Sequence, residues 1–396
     1  MILRPVYLVL LIAALSAALW VWQPWHPDRK RFFGVVSAVE AAPEGVVERS
    51  DREAGFESRV IVRDLSLPWD LAFLSDREIL VTEKGGAMWR VDLSTGRKAP
   101  ISGMPAVRVQ GQGGLHAVVL HPKFAENGLL YLSYAAPGPE GKGATTHFMR
   151  ARLSSNGMQL SDQTVLLQAK APTGAGQHFG GAMAFDRDGY LFVSVGDRGT
   201  REDAQKLTSH NGKILRLHDD GRVPKDNPFV NTPNGAMPEI WSYGHRNPQG
   251  LSFDPATGAL YEAEHGPQGG DEINRIERGR NYGWPVITYG REYGTGFKIG
   301  EGTAREDVVA PVHHYVPSIA TAGIAYYAGD AFPQWKHSVF VAALRGHLNR
   351  VQLTPGGRFV KEERLLTDAG LRVRAVRVSP FDGGIYVVAD DGVVLR

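Results

Sequence analysis

The sequence predicts an all-β chain, a six-bladed β-propeller with four-stranded antiparallel blades, and three observations carry that expectation. One pattern recurs six times: an apolar strand, a turn with Asp, Pro or Gly, a second apolar strand, then a polar loop. Glycine (47) and proline (24) are both high, as a chain punctuated by turns requires. Outside the N-terminal segment no stretch keeps a helical period over about 15 residues, so helices should be scarce. A β-sandwich competes, but it would use fewer and more evenly spaced strands. Divergent repeats of this length with an alternating apolar pattern are the signature of blades.

Taken in order, the chain opens on an apolar run, Val6 to Trp22, preceded by Arg4, closed by Trp20, Trp22 and Trp25, and followed by Arg29, Lys30 and Arg31. Residues 1–25 therefore read as an export signal: either a peptide cleaved near Ala14 to Ala17, or an uncleaved anchor whose tryptophans sit at the membrane interface. The run is short for a span, which usually takes about 20 apolar residues. The expected location is the periplasm, anchored to the inner membrane if the segment is kept. A buried core helix would leave the basic flanks without a role. Residues 26–56 are read as a linker and 57–396 as the propeller. Cysteine is absent, so an exported fold here depends on its core and on metal, not on disulfides.

The six repeats begin WDLAFLSDREILVTE at Trp69, LHAVVLHPKFAENGLLYLSY at Leu115, GGAMAFDRDGYLFVSVGD at Gly180, PQGLSFDPATGALYEAEHG at Pro248, AGIAYYAGDAFPQWKHSVFVAAL at Ala322 and VRAVRVSPFDGGIYVVAD at Val373. Further strands follow several of them, as in GAMWRVDL, GKILRLH, HLNRVQL and GVVLR. The final GVVLR and the early SRVIVRDL, from Ser58, are left over at the two chain ends. Pairing them would close the ring and remove its exposed edges.

With 44 Lys plus Arg against 42 Asp plus Glu, no overall field favours nucleic acid, and a small partner is expected. The stretch Trp241 to Pro285 concentrates loop residues able to bind one: Arg246, Asn247, Gly266, Pro267, Asp271, Glu272 and Tyr282. In it GHRNPQGL, EHGP, DEIN and NYGWP occur in order. This series resembles the soluble quinoprotein sugar dehydrogenases, which hold pyrroloquinoline quinone (PQQ) and calcium on a six-bladed propeller. The resemblance runs from about Leu65 to the C-terminus and is greatest to the aldose sugar dehydrogenase branch, because the loops between repeats look short.

The resemblance implies an oxidoreductase that oxidises the C1 hydroxyl of aldose sugars to lactones. His178, in GAGQHFGGAM upstream of GDRG, matches the general base, and an imidazole suits that task because its ordinary pKa lies near working pH. Gln112, in GQGGLH, matches a residue that touches substrate. Arg246 and Asn247 match the pair near the reactive quinone carbonyl, where a guanidinium stabilises developing negative charge. Arg372 and Arg374, on one face of a strand, match a carboxylate-binding pair. Arg345 matches a position where some members have lysine, and Ser318 one where they have threonine. Calcium is implied at the carbonyls of Gly266 and Pro267 and, as a structural ion, at Glu272 with the carbonyl of Tyr282; oxygen donors suit such a hard cation.

Two positions depart from the family pattern. His116 stands where leucine is commoner, and Gln177 where some members have an acidic residue, which leaves the carboxylate that orients His178 unassigned. His121, His210, His245 and His265 are read as structural or supporting. Without CxxCH there is no covalent haem, so electrons must pass to an external acceptor. Two other readings remain open: a propeller that binds sugars or partners without catalysis, and a calcium-dependent lactonase. The first predicts loss of His178 or of the arginines, and the second predicts acidic and Asn side chains around an axial ion.

Overall fold

The computed structural model describes residues 48–49, 55–138, 141–170 and 172–396. The apolar run read as a signal or anchor, and most of the linker, lie outside these residues. Within the expected linker, Glu48–Arg49 pairs antiparallel with Glu57–Ser58.

The rest of the chain builds six four-stranded antiparallel sheets, the propeller that the repeats predict. Blade 1 runs Pro68–Phe73, Glu78–Glu83, Met88–Asp92 and Lys98–Pro100, and blade 2 Leu115–Leu120, Leu129–Pro137, Ala144–Leu153 and Leu160–Gln168. Blade 3 uses Met183–Phe185, Leu191–Val195, Lys213–Leu217 and Ile240–Tyr243, and blade 4 Pro248–Phe253, Leu260–Glu264, Asp271–Ile276 and His313–Tyr315. Blade 5 is Thr321–Tyr327, Ser338–Ala343, His347–Leu353 and Phe359–Leu365. Blade 6 takes Val373–Val378, Ile385–Ala389 and Val393–Leu395 from the C-terminus and Val60–Val62 from the N-terminal side. The two leftover strands therefore pair as expected, with Val62 opposite Val394 and Val60 opposite Leu395. Innermost strands of successive blades touch all the way round, the sixth against the first. Helix among the described residues is confined to Phe124–Asn127 and two 3₁₀ turns, Arg201–Gln205 and Pro333–Trp335.

The core lies between blades. Leu80 and Met88 of blade 1 pack with Leu115, Leu130 and Leu132 of blade 2, and Phe340 and Leu348 of blade 5 with Val373, Val376 and Val387 of blade 6. Each such side chain contributes about 1.5–3 kcal/mol by leaving water, so the sheets are locked face to face and the loops at their ends are held firmly. Loop approach is set by glycine at two points: a Cβ on Gly196 would lie 2.2 Å from the carbonyl of His178, and one on Gly180 would lie 2.8 Å from that of Ser194. No larger residue fits either position, so these glycines bring the 178 and 196 loops together.

Candidate active site

His178 sits in the loop ahead of Met183–Phe185, with a left-handed backbone (φ 56°). That uncommon conformation is held from both sides. The His178 N–H donates to Oε1 of Gln112 at 2.7 Å, and Asn247 Oδ1 accepts the N–H of Gly180 at 3.1 Å. Gln112 and Asn247, expected beside substrate and quinone, are thus also braces for the loop of the base.

Nδ1 of His178 lies 2.7 Å from Oδ1 of Asp197, whose side chain is wholly buried while the imidazole keeps 13% exposure. A carboxylate can only accept, so Nδ1 carries the proton and the lone pair is left on Nε2. The orienting carboxylate that Gln177 could not supply therefore comes from the GDRG motif. Its other oxygen accepts the indole N–H of Trp284 at 2.8 Å. Burial pushes Asp197 up, but the hydrogen bond and charge of His178, with Arg246 and the Gly199 N–H, outweigh it and hold the carboxyl below its usual range. Burial first, and then the charge of Arg246, push His178 below its ordinary value, with Asp197 pulling the other way. The imidazole is thus neutral and basic at neutral pH.

Arg246 is held by its neighbours: its backbone N–H donates to Glu264 Oε2 at 2.6 Å, and its guanidinium donates to the carbonyls of His265 at 2.7 Å and Gly266 at 2.8 Å. The guanidinium lies 5.3 Å from the centre of the Trp284 ring. Next to it His265 is driven well below the ordinary histidine range by burial and by the Arg246 charge. Arg198 also faces His178; it is buried over the Phe179 ring at 3.4 Å and bonded to the carbonyls of Gln177 and Ala175. It fastens the loop that carries the base.

Across the mouth Arg372, just before the Val373–Val378 strand, and Arg374, at an irregularity of its ladder between Val373 and Ala375, both bind Asp390. Arg374 does so through two 2.8 Å bonds, and Arg372 through Nε at 2.7 Å. Arg374 also lies 4.3 Å from the centre of the Trp69 ring. Arg374 is buried as well as paired, so it ties the fold together at the mouth. Sequence reasoning missed Lys84: its ammonium donates to Gly111 O at 2.5 Å, and burial and the charge of Arg374 lower its pKa. Three cations face Asp390 and Asp391 here, an excess of positive charge that fits an anion with several carboxylates. Arg345 is exposed, its backbone N–H 3.3 Å from Ile319 O.

Gly266, Pro267, Glu272 and Tyr282 line one small cavity with Arg246, Glu264 and Trp284. Asp271 is not an exposed acidic turn: buried, it accepts from Gly266 N at 2.9 Å, Ser318 Oγ at 2.7 Å and Ala320 N at 2.6 Å. Ser318 thereby clamps its loop to the start of the Asp271–Ile276 strand. Glu272 is likewise in a strand and buried. Beside it stand Glu264 and Glu262, and the Asn274 amide reaches all three carboxylates, at 3.3, 3.3 and 3.1 Å. Oε1 of Glu262 and Nδ1 of His245 are buried without a hydrogen-bond partner. Ligand atoms of His245, Glu262 and Glu264 all lie within 4.8 Å of one another. Burial, then the charge of Glu264, raises the pKa of Glu262 and of Glu272 well above normal. Three buried carboxylates with only the Asn274 amide and the Arg246 backbone N–H as donors must take up protons or a cation, and their oxygens fit calcium. The carbonyl of Gly266 already accepts from Arg246, so an ion there would have to share that oxygen.

Asp197 and Trp284 were not singled out from sequence, although each lies inside a quoted motif, GDRG or NYGWP. An acid between glycines at the end of a buried strand was the signal available for Asp197. Nothing in the sequence pairs it with Trp284.

Residues 65–396 match the family model described as Glucose / Sorbosone dehydrogenase. The chain is 43% identical over 337 residues to the aldose sugar dehydrogenase YliI of Escherichia coli K12, covering 84% of this chain and 89% of that protein. Its fold superimposes on the apo-form soluble aldose sugar dehydrogenase (Asd) of Escherichia coli with a TM-score of 0.82 at 41% identity, over 85% of this chain and 98% of that one. It also superimposes on the PQQ-bound form of the aldose sugar dehydrogenase (Adh) of Streptomyces coelicolor with a TM-score of 0.69 at 29% identity, over 85% and 96%.

Proposed function

The chain belongs to the glucose/sorbosone dehydrogenase family and is an enzyme of the aldose sugar dehydrogenase type; from that premise we propose that it oxidises the C1 hydroxyl of an aldose to the lactone with PQQ and calcium. PQQ, when bound, supplies an ortho-quinone that accepts the hydride from C1 and passes electrons to an external acceptor. His178 takes the hydroxyl proton on Nε2. Asp197 keeps Nδ1 protonated and the ring in place, and stabilises the imidazolium that forms. Arg246, fixed by Glu264 and by two carbonyls, presents a guanidinium where negative charge develops. Asn247 stands next to it. Lys84, Arg372, Arg374 and Arg345 would bind the carboxylates, with Ser318 holding the neighbouring loop. Glu272 and the Tyr282 carbonyl would hold a structural calcium, with Glu262 and Glu264 adding charge; Gly266 and Pro267 would offer carbonyls to a second ion completed by cofactor atoms. Export to the periplasm, with or without anchoring, is proposed from the Val6 to Trp22 run.

The observation that carries this reading is the His178–Asp197 pair beside Arg246, an oriented neutral base next to a fixed cation. The test is reconstitution: purified protein given PQQ and calcium should oxidise aldoses with a dye acceptor. No turnover with any aldose, with PQQ shown to be bound, would refute it.

A further inference from the structure

We propose that Trp284 is a positioning residue for the base: its indole N–H holds one oxygen of Asp197, which fixes the other oxygen against His178 Nδ1 and leaves Nε2 for the sugar hydroxyl. This rests on the reading of His178 as the base. Trp284 Nε1 is 2.8 Å from Asp197 Oδ2 and is the one donor to that oxygen among the described residues, whereas Oδ1 accepts both His178 Nδ1 and Gly199 N, each at 2.7 Å. Asp197 is fully buried and Trp284 is 4% exposed. Water therefore does not replace a lost donor easily.

The indole cannot swing away to any extent. Its own backbone is pinned at both ends, N–H to Gly244 O at 2.9 Å and carbonyl to Gln205 Nε2 at 2.7 Å. Arg246 and Arg201 lie 5.3 Å and 5.5 Å from the ring centre, and Ala204 and Ile299 pack against it. A carboxylate torsion is by contrast broad and roughly two-fold, so Asp197 needs a donor on each oxygen to be held in one plane. Trp284 supplies the second. The contact crosses from the early part of blade 4's long loop, between Asp271–Ile276 and His313–Tyr315, to the residues just past a blade 3 strand.

The electrostatic consequence has a definite sign. Charged or titratable groups facing His178 are Asp197 and Arg198 on the loop after Leu191–Val195, Arg246 after Ile240–Tyr243, and His265 after Leu260–Glu264. Asp197 alone is anionic. A donor on Oδ2 draws negative charge away from Oδ1 and so weakens the hold of Asp197 on an imidazolium proton. Removing that donor leaves every charge in place, strengthens that hold, and moves the midpoint of His178 to higher pH.

The experiment uses Trp284→Phe and, because the smaller ring could unfold the site, a protein carrying benzothienylalanine at 284, which keeps the shape of tryptophan and lacks the N–H. The His178 imidazole is titrated by NMR without added PQQ, and the pH–rate profile is measured after reconstitution. The midpoint should rise by about one pH unit in both proteins, the scale of one hydrogen bond to a charged group. At neutral pH kcat should fall several-fold with KM little changed, and part of the loss should return at alkaline pH. An unchanged or lowered midpoint in the benzothienylalanine protein would overturn the proposal, as would a loss of melting temperature with an unmoved titration. His178→Gln, which leaves Trp284 and Asp197 in place, tests the underlying assignment of the base separately.

Discussion

Arg374 and Asp390 form a two-pronged ion pair, Nε to Oδ1 and a terminal nitrogen to Oδ2 at 2.8 Å each, with side chains only 9% and 11% exposed. Neighbouring Arg372 shares Asp390 but keeps 38% exposure. The two arginines share one aspartate, yet their energetic roles separate.

Arg374→Ala leaves a buried aspartate with one partial partner, a change that costs about 3–5 kcal/mol when a buried pair is broken. Arg372→Ala removes a half-exposed partner and should cost no more than about 1 kcal/mol. Thermal melting of the protein without PQQ should show a large drop for the first and a small one for the second, while PQQ titration should show weakened binding in both. Equal melting temperatures for the two variants would contradict this division.

How much of this was legible in advance follows from where each signal lies. Inner strands such as Leu191–Val195, buried throughout, announce themselves as apolar runs between turn residues. The outer strand Leu160–Gln168, largely exposed, reads LSDQTVLLQ and has no such pattern, so blades could be counted before their fourth strands could be placed. At the site, motif residues such as His178 and Arg246 were identifiable. Their partners were not, because Asp197 meets Trp284 across 87 residues of chain and Lys84 reaches Gly111 across 27. Such contacts are set by how neighbouring blades lie side by side. Asp271 and Glu272 look like an acidic turn in isolation; only the register of Glu272 opposite Glu264 shows that the carboxylates are stacked inside a sheet.

That stack yields a prediction whose size depends on calcium. Chelation should lower the melting temperature of the wild-type protein, because Glu262, Glu264 and Glu272 then have only the Asn274 amide and the Arg246 backbone N–H as donors. In calcium-replete protein Glu272→Gln should be destabilising, since a ligand is lost. In chelated protein the same variant should cost little, since burial and the charge of Glu264 already favour a neutral Glu272, which glutamine resembles. A wild-type melting temperature indifferent to chelator would show that no calcium is held there.

The pH dependence of turnover has its sign set by His178. Its folded pKa lies below 6.5, chiefly through burial and then through Arg246, and only the neutral ring accepts a proton. The rate should therefore rise with pH along an acid limb centred below 6.5 and be flat above it, as far as His178 is concerned. The same depression means that neutral His178 favours the fold above its unfolded pKa, and that this contribution is lost as pH falls through the folded one. Arg246→Ala should shift the acid limb upward while lowering its plateau. An acid limb centred above 7 in the wild type would contradict the argument.

The measurement that bears most directly on the account is turnover by His178→Gln, reconstituted with PQQ and calcium and assayed with an aldose and a dye acceptor. A positioned base typically contributes about 10²–10⁴-fold. The variant should bind PQQ as the wild type does, lose kcat by that order with KM little altered, and show no acid limb. Reduction of the dye at close to the wild-type rate, with the acid limb intact, would place the base elsewhere and contradict the central assignment.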